Sequence, residues 1–170
     1  MAKLVGRLSS YQIRAHYEIY NAVQQTIRVG PEFEISDAVQ LRELAAIYVP
    51  WSTLSTALGI DSAMAGHAVM GHIVHGLLRE ALVDDELFAY GPKADISAFV
   101  APRTVPEDGL LVAPTFAGIE LFFWAHGYCN LTERALRESS VVFAPATSIR
   151  PTDDCLAVWQ LEKRAEQQPG

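Results

Sequence analysis

The stretch "LGIDSAMAGHAVMGHIVHGLLRE", residues Leu58–Glu80, decides how this chain is read. It holds three of the five histidines, His67, His72 and His75, and glycines at 66, 71 and 76. No Lys or Arg occurs from Glu43 to Leu78. Gly59 directly after Leu58 is the mark of a left-handed helix cap, because only glycine takes that backbone conformation without a steric cost. Asp61 or Ser62 then offers a side-chain cap to a new helix. The stretch reads as a short helix, a glycine turn and a second helix. Each glycine inside that second helix costs about 1 kcal/mol relative to alanine, so Gly66 and Gly71 are expected where something packs close.

Working outward, "SSYQIRAHYEIYNAVQQTIRVG" is a helix capped by Ser9 or Ser10, with Ile13, Tyr17, Tyr20 and Ile27 in one stripe and His16 and Val23 beside it. Gly30-Pro31 stops it. "ISDAVQLRELAAIYV" is a second helix, capped by Ser36 or Asp37 and ended by Pro50; Val39, Leu41, Leu44, Ala45 and Tyr48 form its buried side. "WSTLSTALG" is the short helix before the glycine turn. Beyond Glu80, "ALVDDELFAYG" and "LLVAPT" read as strands on either side of a turn-rich loop. "FAGIELFFWAHGY" is a strongly apolar helix and "LTERALRESS" a short one; "SVVFAP" is strand-like. "CLAVWQLEKRAEQ" is either a strand or a terminal helix.

This order, together with three local matches, resembles the MarR-like winged-helix regulators. Leu54, Leu58, Gly59 and Ile60 follow the apolar-Gly-apolar spacing of a helix-turn-helix. "HGLLRE" is similar to the end of a recognition helix entering the first wing strand. Thr115-Phe-Ala-Gly118-Ile-Glu-Leu121 resembles the Thr-x-x-Gly-x-x-Leu junction after the second wing strand. The resemblance implies a mainly α fold with a small β wing: a winged helix-turn-helix with flanking N- and C-terminal helices. It divides the chain into residues 1–35 for dimerisation or partner contact, a winged-helix domain over 36–127 and a C-terminal extension over 128–170. It also implies a dimeric DNA-binding transcriptional regulator.

The same region departs from that family. A DNA-reading helix carries Arg, Lys, Asn or Gln to base edges and phosphates. Residues 61–76 offer Ser62 and the three histidines, and the apolar register departs from the family pattern at His72 and Ile73. Lys93 and Arg103 stand in the wing among six carboxylates from Asp84 to Asp108. The candidate DNA contacts are thus Ser62, His67, Arg79, Lys93 and Arg103. The alternative function is a winged-helix protein-protein interaction module that does not bind DNA. Candidate interface residues for a homodimer or a protein partner are Tyr11, Tyr17, Tyr20 and Trp159, since both terminal segments carry surplus apolar surface.

At 100° per residue His67, His72 and His75 fall within an arc of about 140°. His72 and His75, one turn apart, are the candidate metal ligands, with His126, Cys129 or Glu120 as a third. The competing reading is a set of core or groove histidines bonded to backbone or water, with no cofactor; a pH switch is a further one. Catalysis is not expected: no carboxylate is set to orient a His126–Cys129 pair, and no nucleotide, nucleophile-elbow or zinc-protease motif occurs.

Composition agrees with an ordered chain: 170 residues, half of them hydrophobic, 19% charged. A net charge of -7 opposes broad attraction to nucleic acid or anionic membrane. Two separated cysteines and a start without a continuous apolar run are read as cytoplasmic. The uncharged segments 44–60 and 62–78 carry proline, glycine, serine and histidine, so no membrane span is expected.

Overall fold

The computed structural model describes residues 6–30, 32, 34–83, 109–128, 137 and 156–157. Helix α1 spans Ser10–Val29. Ser9 caps it reciprocally with Gln12, each side chain accepting from the other residue's backbone N–H. At its far end the Arg137 guanidinium donates to the carbonyls of Ile27 at 2.7 Å and Gly30 at 3.1 Å, a cation on the negative end of the helix. Helix α2 spans Ala38–Ala45, with Asp37 accepting from the Gln40 backbone N–H.

The chain then departs from the sequence reading. Ile47–Pro50 is strand β1, not the end of the second helix. The run Ile-Tyr-Val is β-branched and aromatic, and all four residues are buried between two neighbouring strands. Helix α3, Trp51–Leu58, follows at once. Gly59 has φ 66° and ψ 36°, and the N–H groups of Gly59 and Ile60 reach back to Thr56 and Ser55, so the glycine turn forms as expected. Helix α4, Ser62–Val74, is capped by Asp61, which accepts from Met64 N at 2.8 Å. Strand β2 is Leu78–Val83, starting three residues earlier than the sequence suggested, and β3 is Gly109–Pro114. Thr115 caps helix α5, Phe116–Ala125, by accepting from Gly118 N. A two-residue strand β4, Leu156–Ala157, completes a four-stranded antiparallel sheet in the order β2-β3-β1-β4.

The described chain is thus mainly helical with a small antiparallel sheet. The N-terminal helix is not set apart from the rest: α1 contacts α2, α3, α4, α5 and β1, and its Ile19, Tyr20, Val23 and Ile27 belong to the one core. Burial therefore runs around much of α1, taking in His16, Glu18, Asn21, Gln24 and Thr26 as well as the expected stripe. Ile13, placed in that stripe by its spacing, is 46% exposed near the helix start. The readings of 131–140 and 140–145 lie outside the described residues, Arg137 excepted. Of the C-terminal segment only Leu156–Ala157 is described, as strand.

Candidate functional site

Helix α4 has two dissimilar faces. Ala65, Ala68, Val69 and His72, at helical spacing, point into the core. Met64, His67, Met70 and Val74 lie on the opposite side and are exposed, Val74 at 76%. The outer face is therefore apolar with one imidazole and no cation. Of the glycines, Gly71 lies against the Gln12 side chain of α1, as close packing requires. Gly66 meets nothing that a β-carbon would touch, so the packing argument fails there. Gly76, with φ 67°, caps the helix instead.

The candidate DNA contacts separate in space. Ser62 and His67 are exposed on α4. Arg79 is exposed at the start of β2, beyond the far end of a thirteen-residue helix about 20 Å long. It lines an open groove of about 680 Å³ with Ile35, Leu41, Ile73, Thr115 and Phe116. Lys93 and Arg103 lie outside the described residues.

The histidines divide differently from their spacing. His67 faces solvent, whereas His72 is completely buried and His75 is half-buried at the helix end. The His72 Nδ1–H donates to the Ala68 carbonyl at 2.8 Å, which fixes the tautomer and leaves Nε2 as a bare acceptor without a hydrogen-bond partner. The ring that meets it is His16 of α1, not His75: the centroids are 5.3 Å apart and the planes 11° from parallel. Stacked imidazoles direct their lone pairs side by side rather than at one point, which is poor geometry for sharing a metal. Among the described residues no group of three His, Cys, Asp or Glu side chains is arranged to hold an ion. Cys129 lies outside them. His126 donates from Nδ1 to the Phe122 carbonyl at 2.6 Å.

His16 was named in the sequence only as a neighbour of the α1 stripe. It is 6% exposed, and neither ring nitrogen has a hydrogen-bond partner. Burial first, then the neighbouring His72, lower its pKa to about 3. Burial likewise lowers that of His72. Both rings are neutral at pH 7. Around them stand Tyr20, 4.4 Å from His16 between centroids, and Phe122, 4.8 Å from His126. The signal that located this cluster only in part was the apolar character of α5; nothing local says that His16 and His72 will meet across 56 residues of chain.

Of the interface candidates, Tyr11 is 44% exposed and Tyr17 half-buried. Tyr20 is not on the surface. It is 1% exposed, and its hydroxyl donates to the Leu77 carbonyl and accepts from Thr115 N at 3.3 Å. Thr115 Oγ1 in turn donates towards the Gly76 and Leu77 carbonyls at 2.8 and 3.0 Å. Trp159 lies outside the described residues. Trp124, which the sequence places in an aromatic run, and Phe116 are exposed on α5, and Ile13 is exposed on α1. Among the described residues no helix is long and apolar enough to cross a membrane. The chain matches no family model, no curated protein and no solved structure.

Proposed function

We propose that this chain is a winged-helix module that works by binding protein through helix α4, and that it does not read DNA. The observation that carries this reading is the outer face of that helix, with Met64, His67, Met70 and Val74 exposed in a row and no Lys or Arg among them. Phosphate contacts supply most of the affinity of DNA-binding proteins, and they need cations. An exposed apolar stripe with two methionines suits a partner's apolar surface instead, since the thioether chain adapts to irregular contacts. The winged-helix part of the proposal is supported by the order α2-β1-α3-α4-β2-β3 and by β1 pairing with β3 beside the hairpin. Tyr11, Ile13 and Trp124, exposed on α1 and α5, favour a second contact made by a copy of the chain.

A second reading, the dimeric MarR-like transcriptional regulator, is favoured by the exposure of Ser62, His67 and Arg79. One titration separates the two. Fluorescence anisotropy of labelled double-stranded DNA, from about 20 to 200 mM salt, shows no binding if the module reading holds. Micromolar binding that falls steeply with salt transfers the proposal to the regulator. Sedimentation of the wild type and of Met70→Asp then tests the stripe: any protein complex it forms is lost in the variant while the fold survives.

A further inference from the structure

Strand β2 is an edge of the sheet: in the order β2-β3-β1-β4 it pairs with β3 alone among the described residues. Two prolines fix which of its backbone groups are left over. Leu78 stands opposite Pro114 and Pro50 opposite Gly109, and proline has no N–H to exchange across a ladder. These are therefore the pairs that exchange no hydrogen bonds. By alternation Arg79, Ala81 and Val83 bond to Ala113, Leu111 and Gly109, while Val112 and Leu110 turn to Ile47 and Val49. The N–H and C=O groups of Leu78, Glu80 and Leu82 thus point away from β3, towards the edge. β2 itself holds no proline and follows β3 without interruption, so this edge is regular enough to pair again.

We infer that β2 takes an extended peptide segment of a partner protein as a new edge strand, its apolar side chains seated in the groove beside Leu78 and one carboxylate set against Arg79. Backbone, walls and charge each narrow the class. A strand added to an edge draws affinity from main-chain hydrogen bonds and specificity from pockets for alternate side chains. The groove of about 680 Å³ opens where β2 begins, and Ile35, Leu41, Ile73 and Phe116 give it apolar walls. Arg79 is exposed and is the one charged side chain among the described residues that line it. Leu78 is buried and Arg79 exposed, so the two stand on opposite faces of the strand, as alternation requires. Neighbours across a ladder share a face, so the peptide carries its apolar residues on the Leu78 side and its acid on the Arg79 side. The net charge of -7 opposes a run of acidic residues, and a single carboxylate among apolar residues fits best. The outer face of α4 is a different surface, and the inference does not rest on it.

The test uses the full chain labelled with ¹⁵N and a blocked synthetic peptide, acetyl-Val-Thr-Val-Asp-Leu-Thr-Val-amide. Hydrogen exchange read by NMR should find the amides of Leu78, Glu80 and Leu82 unprotected in the protein alone and saturably protected by the peptide. Those of Arg79, Ala81 and Val83 should be protected throughout. N-methylation of one alternate set of peptide amides should abolish binding, and N-methylation of the other set should leave it. Arg79→Glu, an exposed change, should weaken the peptide about three- to tenfold and favour the version with Lys in place of Asp. Met70→Asp should leave peptide binding intact, so this inference and the reading of α4 fail separately. The inference is overturned by an edge already protected in the free chain, whether by a second copy or by the chain itself. It is equally overturned by no added protection at about 1 mM peptide, by N-methylation that matters alike at both sets, or by a preference for Asp that Arg79→Glu leaves unchanged.

Discussion

Helices α1 and α4 break the usual arrangement in opposite ways. α1 buries polar side chains, with His16, Glu18, Asn21, Gln24 and Thr26 all within 6% of full burial. α4 is more apolar in composition and yet leaves Met64, Met70 and Val74 in the open. The cause is position rather than sequence. α1 is contacted by three other helices besides α4 and by β1, so it has little free surface left. α4 packs chiefly on α1 and α3, and its outer half carries the exposed Met64, His67, Met70 and Val74. Amphipathic patterning says which face a helix prefers to bury; it does not say how many neighbours will arrive.

The sharpest way to break the comparison is to put the same charge on both faces of α4. Val69→Asp, in the core at 1% exposure, buries an unpaired carboxylate and should cost more than about 4 kcal/mol, read as loss of a cooperative urea transition. Acid tests the polar side of α1 next. The folded His16 titrates near 3 and an unfolded histidine near 6.5, so the unfolded chain takes the proton first. Stability is therefore complete above about pH 6.5 and falls towards pH 3, by as much as about 1.4 kcal/mol per unit for this one residue. His72 acts in the same direction, while Glu18, whose carboxyl is raised chiefly by burial, opposes them within the carboxylate range. Urea midpoints at pH 7 and 4.5 measure the slope, and His16→Phe should flatten it. Tyr20→Phe removes the hydroxyl that serves Leu77 and Thr115 and should cost about 1–3 kcal/mol by the same melts. The smallest effect belongs to Val74→Asp, on the outer face at 76% exposure: a change in stability within about 0.5 kcal/mol, leaving only binding to be lost.

Local chemistry was legible wherever a few neighbouring residues settle the outcome. Ser9, Asp61 and Thr115 cap their helices, and Gly59 takes the left-handed turn, because each hydrogen bond closes within three to five residues. Strand β1 was not legible. Ile47-Tyr48-Val49 continues the helical spacing of Leu41, Leu44 and Ala45, and only its partners, up to 110 residues away in sequence, make it a strand. The candidate site divides the same way. The missing cations of α4 stand in the sequence, whereas the exposure of Met64, Met70 and Val74 follows from where the helix sits. The His16–His72 stack depends on how α1 crosses α4, which no short window of sequence encodes.

Two tyrosines grip the β2–β3 hairpin, one at each described end. Tyr20 from α1 bonds to Leu77 where the hairpin begins and sits where a β-carbon of Gly118 would be; Tyr48 from β1 lies over Gly109 at the other end, leaving it no room for a side chain. The pair of strands is thereby fastened like a plank at two bolts. Through Leu77 the hairpin is tied to α1, the helix on which α4 rests.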